Sequence, residues 1–321
     1  MSADVLTRPT VYPEARPVGA HRVQSHRRVA SRDPNDVGYQ PELPEGVVVA
    51  LRALACLVVL LLWLVLYALV LSGLGEQHTQ HQLYAKLRVE LSDQTVPIGA
   101  PIRNGAPIAV LNAAKAGLHG AVVVEGTSSS DLQKGPGHWV SSVLPGQIGQ
   151  SVLVGKSVTF GAPFGNITSL AKGDSLTVTT GQGVAQYTVT GVRRPGDPLP
   201  QPLSGTEGRL TLVALAGNGW RSALAPDQTV FVDASLQGAG KPVPPGRPSA
   251  IPAGQRLMQG DTGALNDVVL WLELLLVLCV AVVWMRGRWG GWQVWLVGTP
   301  VLLAALWILT ETSARLLPNL L

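Results

Sequence analysis

Hydrophobic and polar positions divide this chain into segments of different texture. Residues 47–73, VVVALRALACLVVLLLWLVLYALVLSG, form one apolar run broken only by Arg52. A bilayer-spanning helix needs about 20 such residues. The run predicts a transmembrane helix, with Arg52 one turn inside its start and able to snorkel to the interface. It lies too far into the chain, and is too long, for a cleaved signal peptide, and no A-x-A site follows. A retained anchor is expected. Residues 265–285 and 292–313 predict a second and a third span, joined by the short turn Arg286-Gly-Arg-Trp-Gly-Gly291.

Between the first and second spans the texture is different. Leu83, Leu87 and Leu91 share one face of a helix predicted over residues 76–92. From residue 98 to 236, short β-rich runs alternate with Gly/Pro turns. PIAVLNA, HGAVVVEG, QSVLVG, DSLTVTT, VAQYTVTGV, RLTLVAL and TVFVDASL read as seven strands. In VAQYTVTGV the alternation puts Ala185, Tyr187 and Val189 on one face. Such spacing predicts a β-sandwich or barrel. Residues 237–264 are rich in Gly and Pro and predict a linker, extended in part. Residues 1–46 show no apolar period and predict a disordered tail, its six arginines balanced by six acidic residues.

Composition agrees with a membrane protein. The 321 residues are 46% hydrophobic and 14% charged, and mean hydropathy is +0.27. Soluble domains carry about 25% charged residues, so the composition argues against a purely soluble chain. The pI near 9.3 does not point to nucleic acid, because the basic residues are scattered and no Lys/Arg run interleaves with aromatics. Orientation follows from Lys and Arg near span ends. Arg27, Arg28, Arg32 and Arg52 on one side, and Arg286 and Arg288 in the turn, put the N-terminal tail and the turn in the cytoplasm. Residues 74–264 and the end of the chain are then extracytoplasmic. Trp284, Trp289, Trp292 and Trp295 near the turn fit an interfacial aromatic belt.

The outer segments resemble, in order, those of a sortase, the cysteine transpeptidase that joins secreted proteins to the envelope of Gram-positive bacteria. Gly99-Ala-Pro-Ile, Pro107-Ile-Ala-Val-Leu and Gly117-Leu-His-Gly-Ala-Val-Val-Val-Glu125-Gly-Thr-Ser128 are similar to the family's opening. Lys134-Gly-Pro-Gly-His138 and Leu144-Pro-Gly-Gln-Ile-Gly149 resemble actinobacterial members. Thr159-Phe-Gly-Ala-Pro-Phe-Gly165, Leu170-Ala-Lys-Gly-Asp174 and Arg209-Leu-Thr-Leu-Val213 complete the series. The resemblance covers residues 76–236. It implies an all-β, eight-stranded sortase-like barrel outside the membrane, beside the three transmembrane helices.

That family's chemistry needs a Cys nucleophile, a His for proton transfer and an Arg at the oxyanion. At the matching places this chain has Lys156 for the His, Leu215 for the Cys, and Gln228 or Thr229 for the Arg. Cys56 and Cys279 are the chain's two cysteines, and both lie inside predicted spans. A buried membrane thiol is normally a small packing residue. No catalytic residue is therefore expected. His138, Lys156, Ser157, Thr159 and Arg221 are the expected rim of a peptide groove or vestigial site. Lys156 is expected to be solvated or ion-paired. Adjacent strand residues point to opposite faces, which disfavours a Lys156/Ser157 catalytic pair. His78 and His81 lack a nearby carboxylate, so no metal and no cofactor are expected.

The expected role is a membrane-anchored, catalytically silent accessory factor for envelope anchoring. It would bind a sorting-signal-like peptide, or an active sortase or other membrane protein through the hairpin of residues 265–313. Glu273 and Glu311, carboxylates within the two spans, mark that hairpin as a candidate contact. The alternative is an active, divergent sortase-type transpeptidase or a Ser-based hydrolase. A third reading is a structural membrane subunit.

Overall fold

The computed structural model describes residues 44–217, 226–248, 250–256 and 259–320. The chain divides into two units, residues 1–53 and 54–321. Most of the predicted N-terminal tail lies outside the described residues.

Eight strands close into a barrel: β1 (Pro107–Ala113), β2 (Leu118–Glu125), β3 (Gly137–His138), β4 (Gly149–Val154), β5 (Ser175–Thr180), β6 (Gly183–Arg193), β7 (Gly208–Ala216) and β8 (Gln228–Leu236). Their order around the barrel is β1-β2-β3-β4-β7-β8-β6-β5, returning to β1. Seven coincide with the alternating runs read from the sequence. The eighth, β3, has two residues, too few to show a period. It is held by pairing with β2 and β4 on either side. Because β3 pairs with only two residues of each neighbour, part of the β2 edge is capped instead by side chains such as Gln80. Pairing is antiparallel except between β2 and β3 and between β4 and β7.

Alternation sorts the side chains. Ala185, Tyr187 and Val189 of β6 face inward, with Leu210, Leu212 and Ala214 of β7 and Val232 and Ala234 of β8, in the main core. The Tyr187 hydroxyl accepts the Gly146 N–H at 2.6 Å, so its one buried polar atom is satisfied. The intervening residues of β4, β7 and β8 face outward and build the surface described below.

Residues 45–92 form one long helix rather than a span and a separate helix. It comprises α1 (Glu45–Leu66), a π-turn at Tyr67–Leu71 and α2 (Ser72–Ser92). At the π-turn the Ser72 hydroxyl donates to the Ala68 carbonyl at 2.8 Å and accepts the Phe160 N–H at 3.0 Å. Further along, Gln80 ties α2 to the barrel. Its Oε1 accepts the Val122 N–H at 2.7 Å, and its Nε2 donates to the Val122 and Lys134 carbonyls at 3.0 and 2.7 Å.

After the barrel, Lys241 bridges to Gln147, Arg247 donates to Glu125 and the Gln255 carbonyl accepts from Thr127. The short α3 (Ser129–Leu132) lies between β2 and β3, and further along the chain α4 (Ala264–Arg286) and α5 (Gly291–Ala314) form a hairpin. With the 45–92 helix, they are long and apolar enough to cross a membrane. Polar and aromatic contacts link α5 to the first helix. Trp63 Nε1 donates to Thr310 Oγ1 at 3.1 Å, and Tyr67 meets Trp307 edge-on with ring centroids 5.4 Å apart. In apolar surroundings such links supply specificity that general hydrophobicity does not.

Candidate functional site

Register alone brings the expected site positions into one region. β4 runs parallel to β7, with Val152 beside Thr211 and Val154 beside Val213. The Gly155 N–H continues the ladder to the Val213 carbonyl at 3.0 Å. β7 pairs antiparallel with β8, setting Thr211 against Asp233, Val213 against Phe231 and Leu215 against Thr229. β6 adds Arg193 beside Phe231. The outward face therefore carries a row of Val152, Thr211 and Asp233, then a row of Val154, Val213, Phe231 and Arg193. Beyond these stand Leu215 and Thr229, with Lys156 two residues past Val154. Two residues of strand span about 7 Å.

This face forms a groove with a cavity of about 400 Å³, lined by Trp139, Ser142, Val152, Arg193, Val213 and Phe231, among others. A partly buried polar cluster stands beside it. Arg193 Nε donates to Asp233 Oδ2 at 2.6 Å, and Thr211 Oγ1 donates to Asp233 Oδ1 at 2.7 Å. Gln150 Nε2 donates to Thr211 Oγ1 at 3.1 Å. The Arg193 guanidinium lies over the Phe231 ring, 4.3 Å from its centroid. Sequence reading did not single out Arg193, Asp233 or Thr211. The Arg193–Asp233 pair is 40 positions apart, and only the β6–β8 register brings it together.

His138 is not at the rim. It is fully buried, with Nδ1 2.8 Å from Glu125 Oε2 and Nε2 2.9 Å from the Val143 carbonyl. A carbonyl only accepts, so Nε2 carries a proton. Arg247 Nη1 donates to Glu125 Oε1 at 3.3 Å. The histidine props the groove from beneath: Ser142 Oγ, 3.0 Å from its Nε2, also accepts the Val152 N–H at 3.1 Å. Pairing of the two-residue strand β3 pulls it inward, a strand the sequence pattern did not reveal.

Lys156 is not solvated either. It is 1% exposed, with its ammonium 5.4 Å from the centroid of Phe160. Instead of the groove, it lines a separate apolar cavity of about 310 Å³ with Leu64, Tyr67, Ala68, Phe160 and Leu317. Burial lowers its pKa from 10.5 to about 8. The loop that covers it folds tightly because Gly155 carries no side chain, and a Cβ there would collide with the Phe164 ring. Thr159 lines the same cavity. Ser157 Oγ is buried and makes no hydrogen bond, so it is not paired with the Lys156 ammonium. Thr229 is half-buried and Gln228 exposed at the start of β8. Arg221 lies outside the described residues.

Leu215 is 4% exposed. It belongs to an outer apolar cluster with Leu132, Val154, Val213 and Leu320, against which Trp139, Val152 and Phe231 pack. No thiol is near, since Cys56 is on α1 and Cys279 on α4.

A family profile of the sortase domain matches residues 112–214. No curated protein gives a significant match. Solved structures similar to this chain include a sortase D5 transpeptidase of Clostridium perfringens, 25% identical, covering 50% of this chain and 99% of its own, with a TM-score of 0.42. The SrtA sortase of Actinomyces oris is 26% identical, covering 44% of this chain and 85% of its own, with a TM-score of 0.38. Sortase E of Streptomyces avermitilis is 26% identical, covering 48% of this chain and all of its own, with a TM-score of 0.35.

Proposed function

We propose that residues 112–214, which match a family profile of the sortase domain, belong to a catalytically silent sortase-like barrel that serves as an accessory binding factor in envelope protein anchoring. The observation that carries this reading is the placement of the sulfur. The chain has two cysteines, and both lie in apolar helices. Acyl transfer through a thiolate needs a nucleophile at the carbonyl it attacks. Leucine at position 215 supplies none, and the residue standing where the family has histidine is a lysine turned toward the helices.

The groove remains. Its aromatic walls, its guanidinium and its apolar end suit an extended peptide, and hence a sorting-signal-like segment of a secreted protein. We infer that the N-terminal tail and the 287–290 turn face the cytoplasm, by the positive-inside rule. The barrel then stands outside, where such peptides arrive. The α4–α5 hairpin is the surface offered to an active sortase or another membrane protein.

A second reading, a Ser-based hydrolase with Lys156 as base, has one observation in its favour: the lowered Lys156 pKa. Against it, Ser157 Oγ makes no hydrogen bond, and Lys156 lines a different cavity from the groove. Incubating the full chain with a sorting-signal peptide and an acceptor amine separates the readings. Binding with no cleavage supports the accessory role. Cleavage lost in Lys156→Ala or Ser157→Ala supports the hydrolase.

A further inference from the structure

We propose that the groove's apolar end is filled in cis by the chain's own residues 316–320, so that a leucine-bearing peptide enters only when this segment leaves. This rests on the peptide-binding reading above and adds the occupant that controls it.

The seat is specific. Leu320 follows the end of α5 by six positions, yet it is 0% exposed. It packs into the cluster of Leu132, Val154, Val213 and Leu215. Three of those four, Val154, Val213 and Leu215, are outward residues of β4 and β7, and Val213 also lines the groove cavity. Val213 of that cluster, and Trp139, Val152 and Phe231 packed against it, also line the open cavity of about 400 Å³. The filled end and the open end are therefore one groove.

The preceding residue is held through backbone carbonyls. Asn319 Nδ2 donates to the Gly254 and Arg256 carbonyls at 3.0 and 2.9 Å, and its N–H donates to the Gln259 carbonyl at 3.2 Å. Gln255, next to two of these carbonyls, is fixed to the barrel by Thr127 Oγ1, which donates to its carbonyl at 2.7 Å. The recognised chemistry is thus a leucine side chain preceded by amide donors, carried on a segment that turns at 315–316 and 319–320. A peptide of that class offers the same groups in trans.

The occupant is also tied to the membrane hairpin. The Arg315 carbonyl accepts the Asp261 N–H at 2.9 Å, and the Arg315 guanidinium lies 3.8 Å from Asp267 on α4. Short tethers give effective concentrations on the order of millimolar, so a micromolar peptide does not compete while the segment is seated. A partner that shifts α5 against α4 moves the occupant and opens the site.

The test uses the full chain in nanodiscs, with Cys56→Ala and Cys279→Ala as background and Leu215→Cys as reporter. Maleimide labelling of position 215 is expected to be slow, and to accelerate about tenfold or more when Leu320→Asp unseats the segment. A fluorescent synthetic peptide of residues 315–321 is expected to bind the Leu320→Asp chain and not the unaltered one. Thermal unfolding checks that the variant folds, and Leu320→Ala provides a milder second variant with the same direction of change. Unchanged labelling in both variants overturns the proposal. So does equal peptide binding by the altered and unaltered chains, or binding by neither. Peptide cleavage would instead overturn the silent-site reading, and it is read separately by mass spectrometry.

Discussion

Arg193 and Asp233 form a partly buried ion pair across β6 and β8, with Arg193 Nε 2.6 Å from Asp233 Oδ2, beside a groove on the outer face of the barrel. The Asp233 carboxylate also accepts from Thr211 at 2.7 Å, so it joins three strands at one point. Removing the acceptor leaves two donors and a mostly buried cation without a partner. Asp233→Ala is expected to destabilise the barrel by about 3 kcal/mol or more. Urea unfolding of the chain in detergent, compared with Asp233→Asn, measures this. The Asn variant keeps an acceptor for Thr211 and is expected to lose less.

Lys156 gives the chain a pH-dependent stability. Its pKa is lowered by burial from 10.5 to about 8. Below pH 8 the folded and unfolded chains both hold this proton, and the cost of the buried charge is fully present. Between about pH 8 and 10.5 the unfolded chain holds more protons than the folded one, so stability from this group rises with pH. Lys156→Met is expected to remove that rise and to stabilise the protein at pH 7 by roughly 1–4 kcal/mol. Melting temperatures of both proteins from pH 7 to 10.5 test it. A parallel pair of curves would contradict the burial of this ammonium.

His138 is predicted to be structural. His138→Ala strips a partner from Glu125, from the Val143 carbonyl and from Ser142. The expected cost is about 2–4 kcal/mol, because buried polar groups lose their hydrogen bonds. The groove is expected to loosen at Ser142 and Trp139, read as a change in Trp139 fluorescence against a Trp139→Phe control.

Gly155→Ala is expected to cost about 1–3 kcal/mol, as the new methyl forces Phe164 out of its place. The same variant is expected to expose Lys156 and flatten the pH dependence described above. Joint measurement of the two effects tests whether the 155–164 loop is what buries the lysine.

Much of this architecture is legible from alternation and composition. Period-two patterns mark seven strands, and long apolar runs mark three helices, because in both cases one local sequence has to satisfy one surrounding. The features that escape are those in which distant segments meet. β3 is two residues held by its neighbours, and His138 is buried through it. Lys156 reads as a rim residue because nothing near it in sequence reveals that helices from both ends of the chain lie over it. Arg193 and Asp233 each look like exposed strand charges until the β6–β8 register is known. Leu320 reads as part of a tail beyond the last span, and its burial depends on a pocket built from three other segments.

On the proposed reading, this sortase-like barrel holds peptides without transferring them. The most direct measurement is mass spectrometry of a sorting-signal peptide incubated with the purified full chain, an acceptor amine and no other enzyme. The account predicts that the peptide is recovered intact, with neither cleavage product nor amine adduct. Time-dependent appearance of either product would contradict it.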